Sequence, residues 1–359
     1  MTIRPRVSLL NSDLERPSAL SSIPRDIDLL WLDKNENLDP ELNALAKEIL
    51  ASIPSLALNS YPEAGELYKK LASWVGLSPQ SLLLTPGSDG AIRLVFETFV
   101  EQNDIVVHTF PTFAMYSVYG KAFGAKVYRI EYELKNGSIF IDKNKIIDRI
   151  INLKPKLVCI PNPDSPSGTI FLERDLHEIL LVCESSGTLL LIDEAYHPFY
   201  ERSYVKWTRG SKNLIVARTF AKAWGLAGLR IGYAVGNPET INLLHKMRPM
   251  YEVGTLAVEF MSRMLDHSSE MEHSVKRIKE SKLFFENEMR AINLDVLKTE
   301  ANFSFVKFGE KEELVHARLK TEVLYRKQID HYAFKGYSRF SISTRSNMES
   351  IVHWIKELI

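Results

Sequence analysis

A lysine and an arginine eight positions apart, in a segment of small residues, are the first candidates for chemistry in this sequence. Lys222 stands between two alanines, and Arg230 lies between Gly228 and Gly232. A lysine that forms a Schiff base with a carbonyl group needs a tight, partly desolvated turn and a nearby group that binds anions. The segment offers both, although Lys222 taken alone could also be one of many surface lysines.

Two further segments combine polar residues with the end of an apolar run. Asp193 follows the apolar residues 189–192, so it lies where a buried strand ends and where open α/β sheets bind ligands. A helix N-cap is the alternative role for this aspartate. Gly87, Ser88 and Asp89 come between a predicted strand and a predicted helix, where free backbone N–H groups bind phosphate. Capping of the helix explains the same residues without a ligand.

The lysine segment also resembles a known family. Its residues 225–230, Gly-Leu-Ala-Gly-Leu-Arg, resemble those of the fold-type I pyridoxal-phosphate (PLP) aminotransferases. Within this family, the motif is most similar to that of the histidinol-phosphate aminotransferase branch. The resemblance covers most of the chain. It implies that Lys222 holds PLP and then moves the proton between the substrate's Cα and the cofactor. It also implies that Asp193 keeps the ring nitrogen protonated and that Tyr196 donates a hydrogen bond to the ring hydroxyl oxygen.

The resemblance further assigns the cofactor's phosphate group. In the family, the turn that matches Gly87, Ser88 and Asp89 cradles this phosphate. Arg230 would add a forked, charged contact, and Thr219 would add a hydroxyl group.

Three more positions match residues around the cofactor and the substrate. Phe113, in Pro-Thr-Phe, matches an aromatic residue that stacks on the pyridine ring, although an ordinary core phenylalanine is the alternative. Tyr61, in Asn-Ser-Tyr-Pro, matches a tyrosine that reaches the PLP phosphate of the neighbouring subunit, which implies a homodimer with shared active sites. Asn37, in Asn-Glu-Asn, belongs to a segment that lies near the substrate in the family, and the resemblance implies that it binds the substrate.

Two arginines near the end of the chain match substrate-binding positions. Arg339 matches the arginine that binds the α-carboxylate, and Arg326 matches one that contacts the substrate's phosphate in the histidinol-phosphate branch. A bidentate guanidinium suits both anions. Each could instead be structural, and a solvated strand end is the alternative for Arg326.

The sequence departs from the family at two positions. Ser165 stands where an asparagine normally contacts the ring hydroxyl oxygen, and Ala221 stands where a serine commonly precedes the lysine. Serine is shorter and offers one donor, so a water molecule could bridge the gap. These changes favour a specialised paralogue that acts on another small amino or keto phosphate.

Composition excludes several classes of protein. The 359 residues include 45 Lys+Arg and 45 Asp+Glu, for a net charge of zero, which argues against nucleic-acid or anionic-membrane binding. Cys159 and Cys183 lie in apolar runs and are expected to be reduced, buried thiols of a cytoplasmic protein. No apolar run is as long as a membrane span, and residues 1–7 lack the apolar core of a signal peptide. We expect no metal site.

The order of apolar runs predicts an α/β fold with a central, mostly parallel sheet, helices on both faces and a smaller α+β domain, and the resemblance implies that this is fold type I. The strands predicted for the central sheet are 81–85, 104–108, 126–132, 156–160, 188–193, 213–219 and 231–235. The other predicted elements are helices at 90–99, 173–185 and 347–358, a helical stretch at 238–292 broken near 251–254, and strands at 302–308, 323–326 and 339–343.

We expect three parts along the chain. Residues 1–50 would form an N-terminal arm, irregular over 1–30, and part of the small domain. Residues 51–250 would form the large PLP-binding domain, and 251–359 the small C-terminal domain.

The sequence therefore predicts a PLP-dependent aminotransferase, with an amino-acid donor, glutamate by analogy with the family, and a small keto acceptor that could be phosphorylated. A decarboxylase of a phosphorylated amino acid, similar to threonine-phosphate decarboxylase, is the alternative within the family. A non-catalytic PLP-binding regulator is the alternative from another class, and the lack of a basic face argues against it.

Overall fold

The computed structural model describes residues 5–10, 14, 24–135 and 137–359. Residues 1–4, 11–13 and 15–23 of the predicted irregular arm lie outside the described residues. Within that arm, Val7–Leu10 forms a short 3-10 helix.

The described strands are, in chain order, β1 (Leu30–Leu32), β2 (Leu82–Thr85), β3 (Ile105–Phe110), β4 (Lys126–Glu131), β5 (Glu133–Lys135), β6 (Ser138–Phe140), β7 (Leu157–Pro161), β8 (Leu189–Asp193), β9 (Leu214–Thr219), β10 (Gly232–Gly236), β11 (Asp295–Leu297), β12 (Phe303–Lys307), β13 (Val323–Tyr325) and β14 (Tyr337–Ser341). The described α-helices are α1 (Pro40–Ser52), α2 (Gly65–Val75), α3 (Gly87–Phe99), α4 (Met115–Ala122), α5 (Lys143–Leu153), α6 (Glu173–Ser186), α7 (Pro238–Met247), α8 (Thr255–Met264), α9 (Ser268–Ala291), α10 (Glu312–Leu319) and α11 (Arg345–Lys356). None of these helices has the length and apolar character needed to cross a membrane.

A central sheet of seven strands has the order β2-β10-β9-β8-β7-β3-β4. All neighbouring strands are parallel except β10, which runs antiparallel to β9 and β2. Helices cover both faces, as the alternation along β8 demonstrates. Leu190 and Ile192 pack into one core with residues of α5 and α6, whereas Leu189 and Leu191 pack into a second core with residues of α3 and α7. The predicted fold class is confirmed.

A smaller group of elements follows the central sheet. β12 pairs antiparallel with β11 and β14, and α9 packs against this sheet and against α11. β1, from near the start of the chain, pairs in parallel with β13 and places Leu32 opposite Tyr325. This pairing anchors the segment 33–36, which directly follows β1.

Most predicted elements are present, with ends displaced by a few residues. The stretch 238–292 contains the helices α7, α8 and α9. It breaks where predicted and also at Leu265–His267, which forms a 3-10 turn. This second break was not predicted because the residues on both sides have helical periodicity. The predicted ranges did not include the helices α1, α2, α4, α5 and α10, the strands β1 and β11, or the hairpin of β5 and β6.

Candidate active site

A cavity of about 460 Å³ opens at the carboxyl ends of the parallel strands. Loops that follow β3, β7, β8 and β9 contribute to its wall, which is the usual ligand site of an open α/β sheet. Its lining residues are Arg25, Asp33, Lys34, Asn35, Glu36, Ser88, Asp89, Phe113, Pro161, Pro163, Ser165, Asp193, Ala195, Tyr196, Thr219, Ala221, Lys222, Ala227, Arg230, Arg326 and Arg339.

The cavity brings together most of the residues singled out from the sequence. Those that line it are Ser88, Asp89, Phe113, Ser165, Asp193, Tyr196, Thr219, Lys222, Arg230, Arg326 and Arg339. The segment 33–36 and Arg25, which also line it, were not predicted as site residues.

Lys222 lies shortly after the end of β9, in a tight turn. The Gly225 N–H donates to the Lys222 carbonyl at 3.1 Å. Gly225 has a φ of 68°, and a Cβ there would lie 3.0 Å from the Asn37 carbonyl oxygen, so the turn requires glycine. Lys222 Nζ donates to the backbone carbonyl of Lys34 at 2.6 Å. This contact holds the amine at the wall of the cavity.

Asp193 is a buried carboxylate at the last position of β8. Its Oδ1 accepts from the Ala195 N–H at 3.0 Å, and its Oδ2 accepts from the Tyr116 hydroxyl at 2.8 Å. Burial raises the pKa of Asp193 to about 6, against an opposing effect of the Tyr116 hydrogen bond. No helix begins at this residue in the described chain, so the N-cap alternative is wrong.

Tyr116 was missed because nothing in the sequence links it to Asp193. The side chain is buried on α4, close to Phe113, and their rings meet edge to face at 5.8 Å between centroids. Phe113 itself is 37% exposed and lines the cavity, so the alternative of an ordinary core residue is wrong.

The start of α3 and Arg230 form a candidate anion site. Gly87 has a φ of 74°, and a Cβ there would lie 3.1 Å from the Arg230 guanidinium. A Cβ on Gly232 would lie 2.6 Å from the Gly87 carbonyl carbon, so β10 can approach the helix start this closely only because residue 232 is a glycine. The N-cap of α3 is Pro86 and no side chain caps the helix, so the capping alternative is wrong. The first N–H groups of α3 therefore have no cap and remain available to an anion.

The two predicted substrate arginines lie side by side. The Arg326 and Arg339 backbones pair through an isolated antiparallel bridge. Arg326 Nε and Arg339 Nη2 both donate to the Asp33 carbonyl, at 3.3 Å and 3.0 Å. Arg339 is buried, which lowers its pKa, and its Nε has no hydrogen-bond partner among the described residues. A buried, partly unsatisfied guanidinium in a cavity wall is suited to a carboxylate ligand.

Gly87 and two further predicted residues do not line the cavity. Asn37 is buried behind the wall, and its Nδ2 donates to the Ala223 carbonyl and to Ser274 Oγ, both at 2.9 Å. We therefore correct the expectation that Asn37 contacts the substrate, because this side chain instead supports the turn that carries Lys222. Tyr61 is 74% exposed and stacks on Tyr251, with 4.4 Å between ring centroids.

The loop after β7 holds a second buried acid that the sequence did not reveal. Asp164 accepts from Thr112 Oγ1 at 2.7 Å and thereby joins the loop of Phe113 to the loop of Ser165. Burial raises the pKa of Asp164 to about 7. Within the described ranges, no three His, Cys, Asp or Glu side chains are grouped so that they could hold a metal ion.

The comparison with known families agrees with this geometry. The model of the family described as aminotransferase class I and II matches residues 27–355 of the chain. The chain therefore belongs to the class I and II aminotransferases, which are PLP-dependent enzymes, and the predicted family and enzyme class are confirmed.

Individual relatives cover nearly the whole chain. A histidinol-phosphate aminotransferase of Thermoanaerobacter pseudethanolicus is 30% identical over 330 residues, which are 91% of this chain and 92% of that protein. One from Buchnera aphidicola subsp. Schlechtendalia chinensis is 32% identical over 340 residues, 92% of this chain and 90% of that protein. The structure of the Sinorhizobium meliloti enzyme in complex with pyridoxal-5'-phosphate superposes with a TM-score of 0.77 at 20% identity, covering 92% of both chains. It shares the fold.

The raised pKa of Asp193 has a consequence for stability. The folded chain keeps this carboxyl protonated up to about pH 6, whereas the unfolded chain releases the proton near its ordinary pKa of 3.8. The folded state therefore binds more protons within this window, and the free energy of unfolding falls by about 3 kcal/mol as the pH rises through it. Above pH 6, the whole of this loss in the free energy of unfolding remains.

We predict that Tyr116→Phe lowers the free energy of unfolding further at a pH where Asp193 is charged. It removes one donor to a buried carboxylate, so the free energy of unfolding should fall by about 1.5–3 kcal/mol at pH 8 and by less at pH 5, where Asp193 is protonated. Tyr119→Phe is the matched control, since the Tyr119 hydroxyl donates to the half-buried Asp89 at 2.9 Å. Urea denaturation of the cofactor-free protein at both pH values measures the difference. Equal losses in the two variants, or at the two pH values, would contradict the role of Tyr116.

Proposed function

We propose that this aminotransferase moves an amino group between glutamate and a small phosphorylated keto substrate of the histidinol-phosphate type. The observation that carries the proposal is the pair Arg326 and Arg339, side by side in the cavity that also holds Lys222. Two guanidinium groups suit a substrate with two anionic ends. The names of the relatives support a phosphate at one of them, and they favour transamination over decarboxylation.

The residues of the cavity fit PLP. Arg230 and the uncapped start of α3 suit the phosphate, and a side chain at Gly87 would intrude between them. Asp193 is a buried acid in the wall, where it would face the ring nitrogen, and Phe113 offers an aromatic ring face. When bound, PLP supplies an electron-withdrawing ring that stabilises negative charge at the substrate's Cα.

Lys222 is proposed to hold the cofactor and to carry the Cα proton. Its amine lies at the cavity wall, where it donates to the Lys34 carbonyl, and an amine placed beside the substrate's Cα would move this proton over a short distance. Arg339 would bind the α-carboxylate and fix the orientation of Cα toward Lys222. Thr219, Ser88 and Asp89 would complete the phosphate site, and Tyr196 and Ser165 would contact the ring hydroxyl oxygen.

The role of Lys222 is tested by Lys222→Ala. Turnover should fall by about 10²–10⁴-fold or more, the contribution of a positioned general base, and borohydride should no longer fix PLP to the protein. Lys34→Ala, which removes the other lysine side chain lining the cavity, should keep the label. Labelling that persists in Lys222→Ala would place the covalent attachment at another lysine.

The substrate class is tested by Arg326→Met, which keeps the aliphatic part of the side chain. Loss of a charge-assisted contact of about 1.5–3 kcal/mol lowers kcat/KM for a phosphorylated acceptor by about 10- to 150-fold. A neutral acceptor of similar size should be affected little, and it serves as the internal control. Equal losses for both acceptors would mean that Arg326 is structural.

We also propose a homodimer with shared active sites. A surface that we call the Tyr61 patch consists of Leu56, Leu58, Tyr61, Met250 and Tyr251, and all five large apolar side chains are exposed. Exposed apolar groups of this kind are typical of protein–protein interfaces. A second copy on this patch would cover it and bring Tyr61 to the phosphate site of its neighbour.

Mixing two inactive variants tests the shared site. If Tyr61→Ala and Lys222→Ala are each severely impaired, an equal mixture of subunits should recover about a quarter of wild-type activity, because half of the dimers are hybrids with one intact site. Light scattering checks the assembly. A fully active monomer at micromolar concentration would contradict the dimer.

Two further proposals concern the setting and organisation of the enzyme. The free, buried thiols Cys159 and Cys183 support a cytoplasmic location. Residues 51–250 are proposed as the large domain, and 251–359 with part of 1–50 as the small domain. The pairing of β1 with β13 supports the contribution of the first segment.

A further inference from the structure

Asn35 is a cavity residue that the sequence did not predict, and its side chain is hydrogen-bonded to the predicted site residue Tyr196. It is 3% exposed and has a φ of 57°, a left-handed conformation that asparagine tolerates better than most residues. Its backbone N–H donates to Ser341 Oγ at 2.8 Å, and its carbonyl accepts from Asn302 Nδ2 at 3.2 Å. The residue is therefore held in place by two elements of the C-terminal half of the chain.

The side-chain amide of Asn35 lies between two hydroxyl groups. Its Nδ2 donates to the Tyr196 hydroxyl oxygen at 2.8 Å, and its Oδ1 lies 3.1 Å from Ser341 Oγ. An amide NH₂ group can donate but cannot accept. The Tyr196 oxygen is therefore the acceptor in this bond, and its own proton must go elsewhere.

The geometry leaves one direction for that proton. Tyr196 is buried, its ring meets Phe303 edge to face at 5.7 Å between centroids, and it lines the cavity. In the part of the chain that the structure describes, its hydroxyl has no second hydrogen-bond partner. The proton thus points into the cavity.

The replacement at Ser165 makes this orientation more important. Ser165 has a shorter side chain than the asparagine of the family pattern and offers a single proton. Because Ser165 is the shorter donor, the hydrogen bond from Tyr196 becomes more important for the ring hydroxyl oxygen of PLP.

We propose that Asn35 is a positioning residue for the cofactor, which fixes the Tyr196 hydroxyl as a donor to the ring hydroxyl oxygen of PLP. This inference rests on the proposed function, since it assumes that PLP occupies the cavity. A fixed donor stabilises the negatively charged form of that oxygen and lowers the pH at which the bound cofactor changes its absorbance.

The test follows the absorbance of the PLP-loaded enzyme against pH in Asn35→Gly, Tyr196→Phe and the double variant. Glycine adopts positive φ without strain, so Asn35→Gly removes the amide and spares the fold. It should raise the pKa of the absorbance transition by about 0.5–1, the equivalent of one neutral hydrogen bond. Tyr196→Phe should raise it at least as much. In the Tyr196→Phe background, Asn35→Gly should add nothing, because Asn35 acts through Tyr196.

Asn293→Gly is the matched control, because Asn293 also has a positive φ, of 60°, and is exposed away from the cavity. It should leave the transition unchanged. An unchanged or lowered pKa in Asn35→Gly would overturn the proposal, and a lowered value would mean that Tyr196 donates to Asn35 instead. An equal shift in both backgrounds would also overturn it. If the wild-type chain binds no PLP, the proposed function itself fails, and this outcome is distinct from the others.

Discussion

The candidate site depends on the convergence of three cations on two neighbouring backbone carbonyls. The Asp33 carbonyl accepts from Arg326 and Arg339, and the Lys34 carbonyl accepts from Lys222. These cations come from the end of the central sheet and from the C-terminal sheet, so the short segment that carries the carbonyls joins the two parts of the fold at the cavity. Neutral carbonyls can hold cations without cancelling their charge. The cations therefore keep their attraction for an anionic substrate.

The same segment explains why the N-terminal residues matter for the chemistry. The pairing of β1 with β13 fixes the register in which residues 33–36 reach the cavity. Arg25 then bonds both oxygens of Glu36, at 2.7 Å and 2.8 Å, and stacks over Trp31. This ion pair joins the two ends of residues 25–36, which include β1. The Glu36 carboxylate is thereby neutralised by Arg25 and competes less for Lys222.

Burial disfavours the charged form of Asp193 and raises its pKa, whereas the cations of the site keep their charge. Among the described residues, the Asp193 carboxylate accepts hydrogen bonds from Ala195 and Tyr116, and these are not enough to offset the unfavourable burial of its charge. A positively charged ring nitrogen next to this carboxylate would supply the missing compensation. Asp193, which destabilises the chain when no cofactor is bound, is thus suited to the PLP that the family uses.

The sequence by itself determined the features that depend on local conformation. The turn of Lys222, the helix start at Gly87 and the acid at the end of β8 follow from residue types within a few positions, and so does the alternation of strands and helices. Only the tertiary structure decided which of two similar residues faces the cavity. Asn35 and not Asn37 lines it, because the positive φ at Asn35 breaks the simple alternation of side chains. The bond from Tyr116 to Asp193 joins positions 77 residues apart. Sequence spacing carries no information about such a contact, which arises only when the strands pack side by side in the sheet.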